Sequence, residues 1–346
     1  MPKASRLSAP KPRVVVVTGA SAGVGRATAR AFAAHGDDVG LLARGADGLH
    51  AAQREVEGSG RRGLAVPVDV ADAAAVEAAA KRVESELGPI DVWVNNAMAS
   101  ILAPVTETDP DDFKRVTEVT YLGCVYGTMA ALRHMRERDR GTIIQVGSAL
   151  AYRAIPLQAS YCGAKHAIRG FTDALRTELL NEGSSIRVSM VQLPGLDTPQ
   201  FGWVKTTLPR HPQPVAPIYV PEVAANAIVW AADHPRREVW AGVSTPLVIW
   251  GSRLAPQLLD RYLARTNIDA QQSEQPIDPE RPTNLWKPVP GDHGARGIFG
   301  DRAHARSTQF RLATHRGLVL AGAAVVGTAT AGLRRRWRGH RPPGKG

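Results

Sequence analysis

The part of the sequence that most constrains the fold is a β-branched run followed by a glycine-rich turn and a helical pattern. Residues 13–17 read RVVVV, which suits a central strand. The next residues, TGASAGVG at 18–25, lead directly into apolar residues at helical spacing. Strand, turn and helix in this order are typical of a dinucleotide site, because glycine lets the backbone approach a pyrophosphate and the N–H groups at a helix start face its charge. No acidic residue between Thr18 and His35 opposes that charge.

Strand-like and helix-like patterns then alternate along the chain. Strands are predicted near residues 13–18, 38–43, 63–68, 90–95, 141–147, 186–191 and 237–241. Helices are predicted near residues 23–36, 46–58, 72–87, 110–138, 159–182, 221–233 and 243–264. This alternation favours an α/β fold with a parallel sheet covered on both faces. The right-handed crossover rule makes it a Rossmann-type, doubly wound sheet of about seven strands.

Three polar residues in the middle of the chain form a candidate catalytic group. Tyr161 and Lys165 are four residues apart in YCGAK, so a helix places them on one face. An ammonium there is expected to favour the phenolate and to lower the pKa of the tyrosine from about 10. Ser148 follows the apolar run GTIIQVG, which predicts a buried strand, and its hydroxyl can bond the oxygen that the tyrosine protonates. Taken alone, Y-x-x-x-K is a weak pattern that also fits an amphipathic surface helix.

The glycine spacing G-x-x-x-G-x-G and five further motifs resemble those of the classical short-chain dehydrogenase/reductase (SDR) family. The matching segments are TGASAGVG (18–25), DV (69–70), NNAM (95–98), the strand that ends at Ser148, YCGAK (161–165) and PGLDT (194–198). They stand in the family's order within roughly residues 13–265. The resemblance implies an oxidoreductase that moves hydride between a nicotinamide cofactor and a secondary alcohol, ketone or aldehyde.

The resemblance also implies a role for individual residues. Tyr161 would be the general acid/base, Lys165 would hold the nicotinamide ribose, and Ser148 would orient the substrate oxygen. Asp69 would meet the adenine amino group, with Val70 beside the ring. The other implied cofactor-binding residues are Gly19, Ser21, Gly23, Val24 and Gly25 in the pyrophosphate turn, Asn95 at a strand end, and Pro194, Gly195 and Thr198 near the nicotinamide.

Two positions depart from the family pattern. The family often has a fourth catalytic residue, an asparagine in V-N-x-x-G, where this chain reads VTYLG and has Thr120. The asparagine supports a helix kink and an ordered water that relays protons, so Thr120 puts that relay in question. Met98 stands where the family usually has glycine. Its flexible thioether either fills space beside the cofactor or narrows the substrate mouth, with simple packing as the alternative.

The end of the second predicted strand bears on cofactor choice. An acidic residue there would bond the adenosine ribose and repel a 2′-phosphate. This chain reads DVGLLAR at 38–44, so Ala43 and Arg44 stand at that point. A guanidinium suits bidentate phosphate contact. The sequence therefore predicts NADP(H) over NAD(H), with a solvated loop arginine as the alternative for Arg44.

Composition divides the chain into four parts. They are an N-terminal arm (1–12), the catalytic domain (13–265), an irregular Pro-rich extension (266–310) and an apolar and basic tail (311–346). Trp286 and Phe310 are the candidates for pinning the extension to the body.

The segment 196–220 within the catalytic domain has few periodic residues and is predicted to be a loop over the substrate. Phe201 and Trp203 would close on an apolar substrate, while Lys205 and Arg210 would stay in solvent. An ordinary surface loop fits the same residues.

The charge of the chain is concentrated at its C-terminal end. Residues 302–346 hold ten of the 43 Lys and Arg residues and none of the 32 Asp and Glu residues, and so carry +10 of the net +11. They include the uncharged stretch GLVLAGAAVVGTATAGL at 317–333, followed by RRRWRGHR. Because roughly 20 apolar residues are needed to cross a bilayer, a helix lying on an anionic membrane surface is favoured over a spanning one. A partner subunit or a disordered tail is the alternative, and nucleic acid is disfavoured because no recognised binding module accompanies the charge.

Cysteine usage and the N-terminus bear on compartment and metals. Cys124 and Cys162 both fall in predicted helices, which indicates no disulfide framework and favours the reducing cytoplasm. No Cys/His cluster has zinc spacing, so no metal is expected. The first residues lack the apolar core of a secretory signal.

These patterns together predict an NADP-preferring short-chain oxidoreductase acting on an apolar carbonyl or alcohol. The alternative is a non-catalytic NADP-binding regulator or a membrane-associated scaffold. Because family members commonly pair through the helices near 110–138 and 159–182, a homo-oligomer is expected.

Overall fold

The computed structural model describes residues 11–315, which fold around a seven-stranded parallel sheet. Its strands are β1 (Val14–Thr18), β2 (Asp38–Ala43), β3 (Gly63–Pro67), β4 (Ile90–Asn95), β5 (Thr142–Val146), β6 (Arg187–Gln192) and β7 (Glu238–Trp240). The strand order is β3-β2-β1-β4-β5-β6-β7, and every pairing is parallel. The prediction of a Rossmann-type, doubly wound sheet is confirmed.

Helices cover both faces of the sheet because β1 and its neighbours are apolar on both sides. The helices are α1 (Gly23–His35), α2 (Ala46–Gly58), α3 (Ala73–Glu86), α4 (Pro110–Thr117), α5 (Gly123–Arg136), α6 (Ala159–Asn181), α7 (Gln200–Trp203), α8 (Pro221–Asp233), α9 (Ser244–Leu254), α10 (Pro256–Ala270) and α11 (Thr308–Thr314). Val15 and Val17 of β1 face the core shared with α1, α2 and α8. Val14 and Val16 face the core shared with α3, α5 and α6, as alternation along a strand requires.

Two helices predicted as continuous are interrupted. The helix predicted at 110–138 contains a π turn, Glu118–Leu122, between α4 and α5. The helix predicted at 243–264 is two helices, because Pro256 lacks an N–H and disfavours helical backbone at the residue before it. Ala255 accordingly has φ −144° and ψ 60°, and α10 then runs on to Ala270.

The extension predicted to be irregular is joined to the body by short strands. Gln272–Pro276 pairs antiparallel with Arg210–Pro212. Ala303–His304 joins a small parallel sheet with Ile218–Tyr219 and Gly195–Leu196. The strands of the extension therefore pair with strands of the 196–220 segment. Each of the two segments becomes regular only by hydrogen bonding with the other.

Trp286 and Phe310 both contact the body. The indole N–H of Trp286 donates to a carboxylate oxygen of Asp112 at 2.7 Å. The ring of Phe310 packs edge-on against Trp230 of α8, with 6.1 Å between ring centres. The apolar stretch 317–333, the arginines after it and most of the N-terminal arm lie outside the described residues. No helix within residues 11–315 has the length and apolar character needed to cross a membrane.

Candidate active site

The carboxyl ends of β1, β4, β5 and β6 border a cavity of about 410 Å³. It reaches from the glycine turn after β1 to Ser148, Tyr161 and Lys165. The strand order reverses between β1 and β4, and ligands of open parallel sheets bind at such a switch point. The cavity therefore lies where the sequence predicts a dinucleotide.

The turn after β1 needs glycine because neighbouring backbone leaves no room for side chains. Gly19 has φ +69°, and a Cβ on it would lie 2.9 Å from the Cα of Ala97. A Cβ on Gly25 would lie 2.1 Å from the carbonyl oxygen of Gly19, so Gly25 lets α1 approach the turn from beneath. The predicted turn residues that line the cavity are Gly19, Ser21, Gly23 and Val24. This glycine-rich cradle fits a pyrophosphate approached by backbone.

Asn96 lines the cavity, although the sequence pointed to its neighbour Asn95. The main-chain N–H of Asn96 donates to Thr18 Oγ1 at 2.9 Å, and its amide donates to the Thr18 carbonyl at 2.9 Å. The Asn95 amide instead donates to Thr128 at 3.0 Å and to Gln145 at 2.9 Å, all buried. Asn95 thus fixes the end of β4 from the interior. Alternation along a strand is the signal that separates the two residues.

The structure brings Ser148, Tyr161 and Lys165 together at one end of the cavity. Tyr161 and Lys165 lie one turn apart on α6, and Ser148 follows β5. Lys165 is only 3% exposed; its Nζ donates to the carbonyl of Val146 at 2.7 Å and lies 5.5 Å from the centre of the Tyr161 ring. Ser148 Oγ accepts from the N–H of Leu150 at 3.1 Å, and its hydroxyl lines the same end of the cavity as Tyr161. This arrangement can hold a carbonyl oxygen and pass a proton to it.

The expectation that Lys165 lowers the pKa of Tyr161 is wrong for this structure. Burial raises the pKa of Tyr161 above its ordinary value, and the nearby Ser148 hydroxyl offsets this only in part. Burial also lowers the pKa of Lys165 to about 8. The ammonium lies over the tyrosine ring, 5.5 Å from its centre, and desolvation of the phenol has the largest influence on its pKa. Tyr161 is therefore a neutral phenol at neutral pH, the form that donates a proton.

Thr120 and Met98, the two departures from the family pattern, take different places. Thr120 lies in the π turn, where its Oγ1 donates to the carbonyl of Ala99 and accepts from the N–H of Ala99, both at 2.9 Å. It thereby ties the α4–α5 junction to the loop after β4. Met98 lines the cavity and is half-buried. The Met98 thioether thus lies beside the cleft, whereas the Thr120 hydroxyl makes both of its hydrogen bonds with the main chain of Ala99.

Arg44, Asp69 and Val70 line the cavity end remote from Tyr161. Asp69 is ion-paired with Arg115 of α4, a residue that no sequence motif indicated. The Arg44 guanidinium donates to three main-chain carbonyls of the extension, those of Asn284, Leu285 and Trp286. Both charged side chains predicted to contact the cofactor therefore already have protein partners.

Pro194, Gly195 and Thr198 line the cavity that also contains Tyr161. A Cβ on Gly195 would lie 2.6 Å from the carbonyl oxygen of Val215, which explains the glycine. A Cβ on Gly23 would lie 3.5 Å from Thr198, so the motif after β6 lies close against the first turn of α1.

The space beyond Tyr161 is walled mainly by apolar side chains. It is lined by Leu150, Ile155, Phe201, Val248, Leu259 and Leu263. Gln158 and Asn267 add polar groups to the same wall. Sequence reasoning missed the site residues of α9 and α10 because these helices follow all six motifs and contain no catalytic or binding motif of their own.

The segment 196–220 follows the prediction in part. Phe201 and Trp203 line the cavity. Lys205 and Arg210 have side chains that are 44% and 39% exposed, as expected, and each is also ion-paired, with Asp112 and Asp269 respectively. In residues 11–315 no three His, Cys, Asp or Glu side chains are grouped to hold a metal ion.

Comparison with known proteins agrees with this geometry. The short chain dehydrogenase family model matches residues 13–207. An uncharacterised oxidoreductase of Bacillus subtilis (strain 168), YxnA, is 33% identical over 318 residues, covering 91% of this chain and 88% of that protein.

Two solved structures show the same fold with different nucleotides. An alcohol dehydrogenase from the archaeon Thermococcus sibiricus, complexed with 5-hydroxy-NADP, matches with a TM-score of 0.58 at 27% identity, covering 67% of this chain and 97% of that one. A short chain dehydrogenase from Mycobacterium paratuberculosis, bound to NAD, has a TM-score of 0.58 at 26% identity, covering 66% and 95%. The chain belongs to the short-chain dehydrogenase/reductase family and is an oxidoreductase.

Proposed function

We propose that this oxidoreductase prefers NADP(H) and interconverts an apolar ketone or aldehyde with the corresponding alcohol, with Tyr161 as general acid/base. The observation that carries the proposal is one cavity with Ser148, Tyr161 and Lys165 at one end and the glycine turn at the other. When bound, the nicotinamide would supply or accept the hydride. Gly19, Ser21, Gly23 and Val24 would hold the pyrophosphate, and Thr198 the carboxamide.

The hydroxyls of Tyr161 and Ser148 would carry out the proton transfer. In reduction, Tyr161 gives its proton to the carbonyl oxygen while the Ser148 hydroxyl bonds that oxygen; in oxidation the tyrosine takes the proton back. Tyr161 is protonated at neutral pH, as a proton donor in reduction must be. Lys165 would hold the nicotinamide ribose at the base of the same site. Thr120 contributes through the position of the loop after β4.

The preference for NADP(H) rests on local charge. Arg44 ends β2 with no carboxylate at residues 42–44, and Asp69 nearby is neutralised by Arg115. The guanidinium has five N–H donors, three of which point to carbonyls, so two remain for a 2′-phosphate. One of the two structural relatives binds an NADP derivative and the other NAD, so the preference rests on Arg44 itself.

The experiment that tests the proposal is a panel of aldehydes, ketones and secondary alcohols of increasing chain length, assayed with both cofactors by nicotinamide absorbance. Carbonyl-dependent oxidation of NADPH, faster than that of NADH and favouring long apolar chains, is the expected result. NADPH binding with no turnover of any substrate would instead support a non-catalytic NADP-binding regulator.

We also propose that the protein associates with anionic membrane surfaces. The apolar and basic tail motivates this, and the described residues add an exposed apolar stripe on α9 and α10. The stripe consists of Val243, Leu247, Trp250, Leu254, Leu258 and Tyr262. Leu254 is 79% exposed, and Arg253, Arg261 and Arg265 are exposed on the same two helices. Apolar side chains beside arginines suit the boundary between acyl chains and anionic headgroups.

Vesicle co-sedimentation tests the membrane proposal. The full chain should bind anionic vesicles more strongly at low than at high salt. Deleting residues 316–346, or changing Leu254 and Leu258 to Ser, should each reduce binding, while Val105→Ser, at an apolar residue that is 65% exposed, serves as the matched control. If all four proteins bind equally, or if none binds, the membrane proposal is refuted.

We propose in addition that the chain is a homo-oligomer through α4, α5 and α6. These helices expose Phe113, Met129 and Leu180, large apolar side chains suited to a subunit contact. Light scattering of the wild type and a Met129→Glu variant tests it: the variant should dissociate, and a monomeric wild type would refute the proposal.

A further inference from the structure

Residues 284–294 of the extension lie across the cofactor cleft, and we call them the clasp. Asn284, Pro288, Val289, Gly291 and His293 line the same cavity as the glycine turn. The family model ends at residue 207, so this wall of the cavity comes from outside the region that the model matches.

On the adenosine side the clasp is held by α4 and by the end of β2. The carbonyls of Leu285 and Trp286 each accept from Arg44 at 3.1 Å, and the Leu285 carbonyl also accepts from Arg115 at 3.3 Å. The Leu285 side chain is fully buried in the core that contains Val68 and Val70. Leu285 is therefore held in two ways, by its buried side chain and by the hydrogen bonds to its carbonyl.

On the pyrophosphate side the clasp meets the first turns of α1 and α2. The N–H of Gly23 donates to the carbonyl of Gly294 at 3.0 Å. Asp292 is ion-paired with Arg26 at 3.2 Å, and the N–H of Gly291 donates to Asp47 at 2.9 Å. A main-chain donor at the start of α1, of the kind that binds phosphate, thus also holds the clasp.

On the nicotinamide side the clasp meets Trp203. The N–H of Asn284 donates to the Trp203 carbonyl at 3.1 Å, and the His293 ring packs edge-on against the indole at 4.7 Å. The clasp therefore joins the adenosine side of the cleft to the substrate side.

Both flanks of the clasp are fixed, while its middle has few apolar anchors. The strands Gln272–Pro276 and Ala303–His304 pair with the body on either side. Gly291 and Gly294 have φ +97° and +62°, a region that glycine adopts without strain. Opening would therefore require the middle to lift while its flanks stay paired.

We propose that the clasp completes the cofactor site and gates it: the adenosine end of the nucleotide enters and leaves only when residues 284–294 lift. This rests on the proposed NADP(H) site. Arg44 links the two functions, because the same guanidinium bonds the clasp and would bond the 2′-phosphate. A gate slows both the association and the dissociation of the nucleotide when it is closed. A passive wall would slow only the dissociation.

A disulfide across the clasp tests the gate. A Cβ on Gly45 would lie 3.5 Å from the Cβ of Pro288, within the range that a disulfide spans. Gly45 has φ −79°, so a cysteine fits its backbone, and the native Cys124 and Cys162 are buried. The full-length Gly45→Cys/Pro288→Cys variant is loaded with NADPH, oxidised, and passed through gel filtration, with the bridge verified by mass spectrometry.

The expected result is that the oxidised, loaded variant retains NADPH and that the variant oxidised before loading binds it at least about tenfold more slowly, both reversed by reductant. Each single-cysteine variant, treated alike, should exchange nucleotide as the reduced double variant does. If the variant with the disulfide formed exchanges NADPH as fast as its dithiol form does, the clasp is not a gate.

A second variant covers the case in which the bridge does not form. Leu285→Ala removes the buried anchor and should raise both the association and the dissociation rate of NADPH, followed by stopped-flow fluorescence. Leu254→Ala, an exposed leucine on α9, is the matched control. A rise in dissociation alone would make the clasp a passive wall, and no change in either rate would exclude it from the site. A wild-type protein that binds no NADPH would refute the proposed function itself.

Discussion

The catalytic region, residues 13–207, and the clasp, residues 284–294, reach one cavity from opposite sides but differ in what their sequences reveal. The catalytic region uses side chains whose chemistry is specific, such as a phenol and an ammonium one helical turn apart. The clasp uses main-chain groups, and most residue types can supply a carbonyl. A sequence therefore predicts the wall of a site that is built from specific side chains, but it does not predict a wall that is built from main-chain groups.

The sharpest way to separate the two regions is Tyr161→Phe. The ring stays and only the proton-transfer hydroxyl is lost, so turnover should fall by about 10²–10⁴-fold. NADPH affinity and the exchange rates set by the clasp should remain close to wild type, measured by fluorescence titration and stopped flow. Turnover like that of the wild type would remove Tyr161 from the mechanism.

The residues that sequence reasoning found and missed follow the same division. Ser148, Tyr161 and Lys165 were predicted because helix geometry fixes a four-residue spacing and a strand end fixes the third group. Arg115 and Leu285 were missed because they meet across 170 residues of chain, and neither belongs to a motif. The break at Pro256 was visible in the sequence as a proline, but the apolar pattern on both sides of it favoured one helix.

A second test concerns the buried ammonium. Burial lowers the pKa of Lys165 from 10.5 to about 8, so between pH 8 and 10.5 the unfolded chain binds more protons at this site than the folded one. The contribution of Lys165 to the free energy of unfolding should therefore rise with pH across that window, by about 3 kcal/mol in all. Urea unfolding of the wild type and Lys165→Met at pH 7.5 and pH 10 measures it.

In that comparison the wild type should gain stability relative to the variant at the higher pH. A difference between the two proteins that does not change with pH would show that Lys165 is solvated. Lys165 bonds the carbonyl of Val146, so this measurement tests the catalytic end of the cavity separately from the clasp.

A third variant, Arg44→Asp, acts on both regions at once. The carboxylate repels a 2′-phosphate and also faces the carbonyls of the clasp, so it removes two interactions of one side chain. NADPH affinity should fall by about 10- to 100-fold, as expected for loss of charge-assisted hydrogen bonds, while NADH is weakened less. Equilibrium titration with both nucleotides measures the change in preference.

Arg62→Asp provides the matched control, because Arg62 bonds Asp38 at the opposite end of β2. Its effect on the NADPH to NADH affinity ratio should be small. If Arg44→Asp leaves that ratio unchanged, the guanidinium serves the clasp and does not bind the phosphate.

The most direct test of whether the two regions form one site is amide hydrogen exchange of the wild-type protein with and without NADPH. The nucleotide should slow exchange in the glycine turn, residues 18–25, and in the clasp, residues 284–294, at the same nucleotide concentration. Protection of the glycine turn with unchanged exchange throughout the clasp would contradict the account and leave the cofactor site to the catalytic region alone.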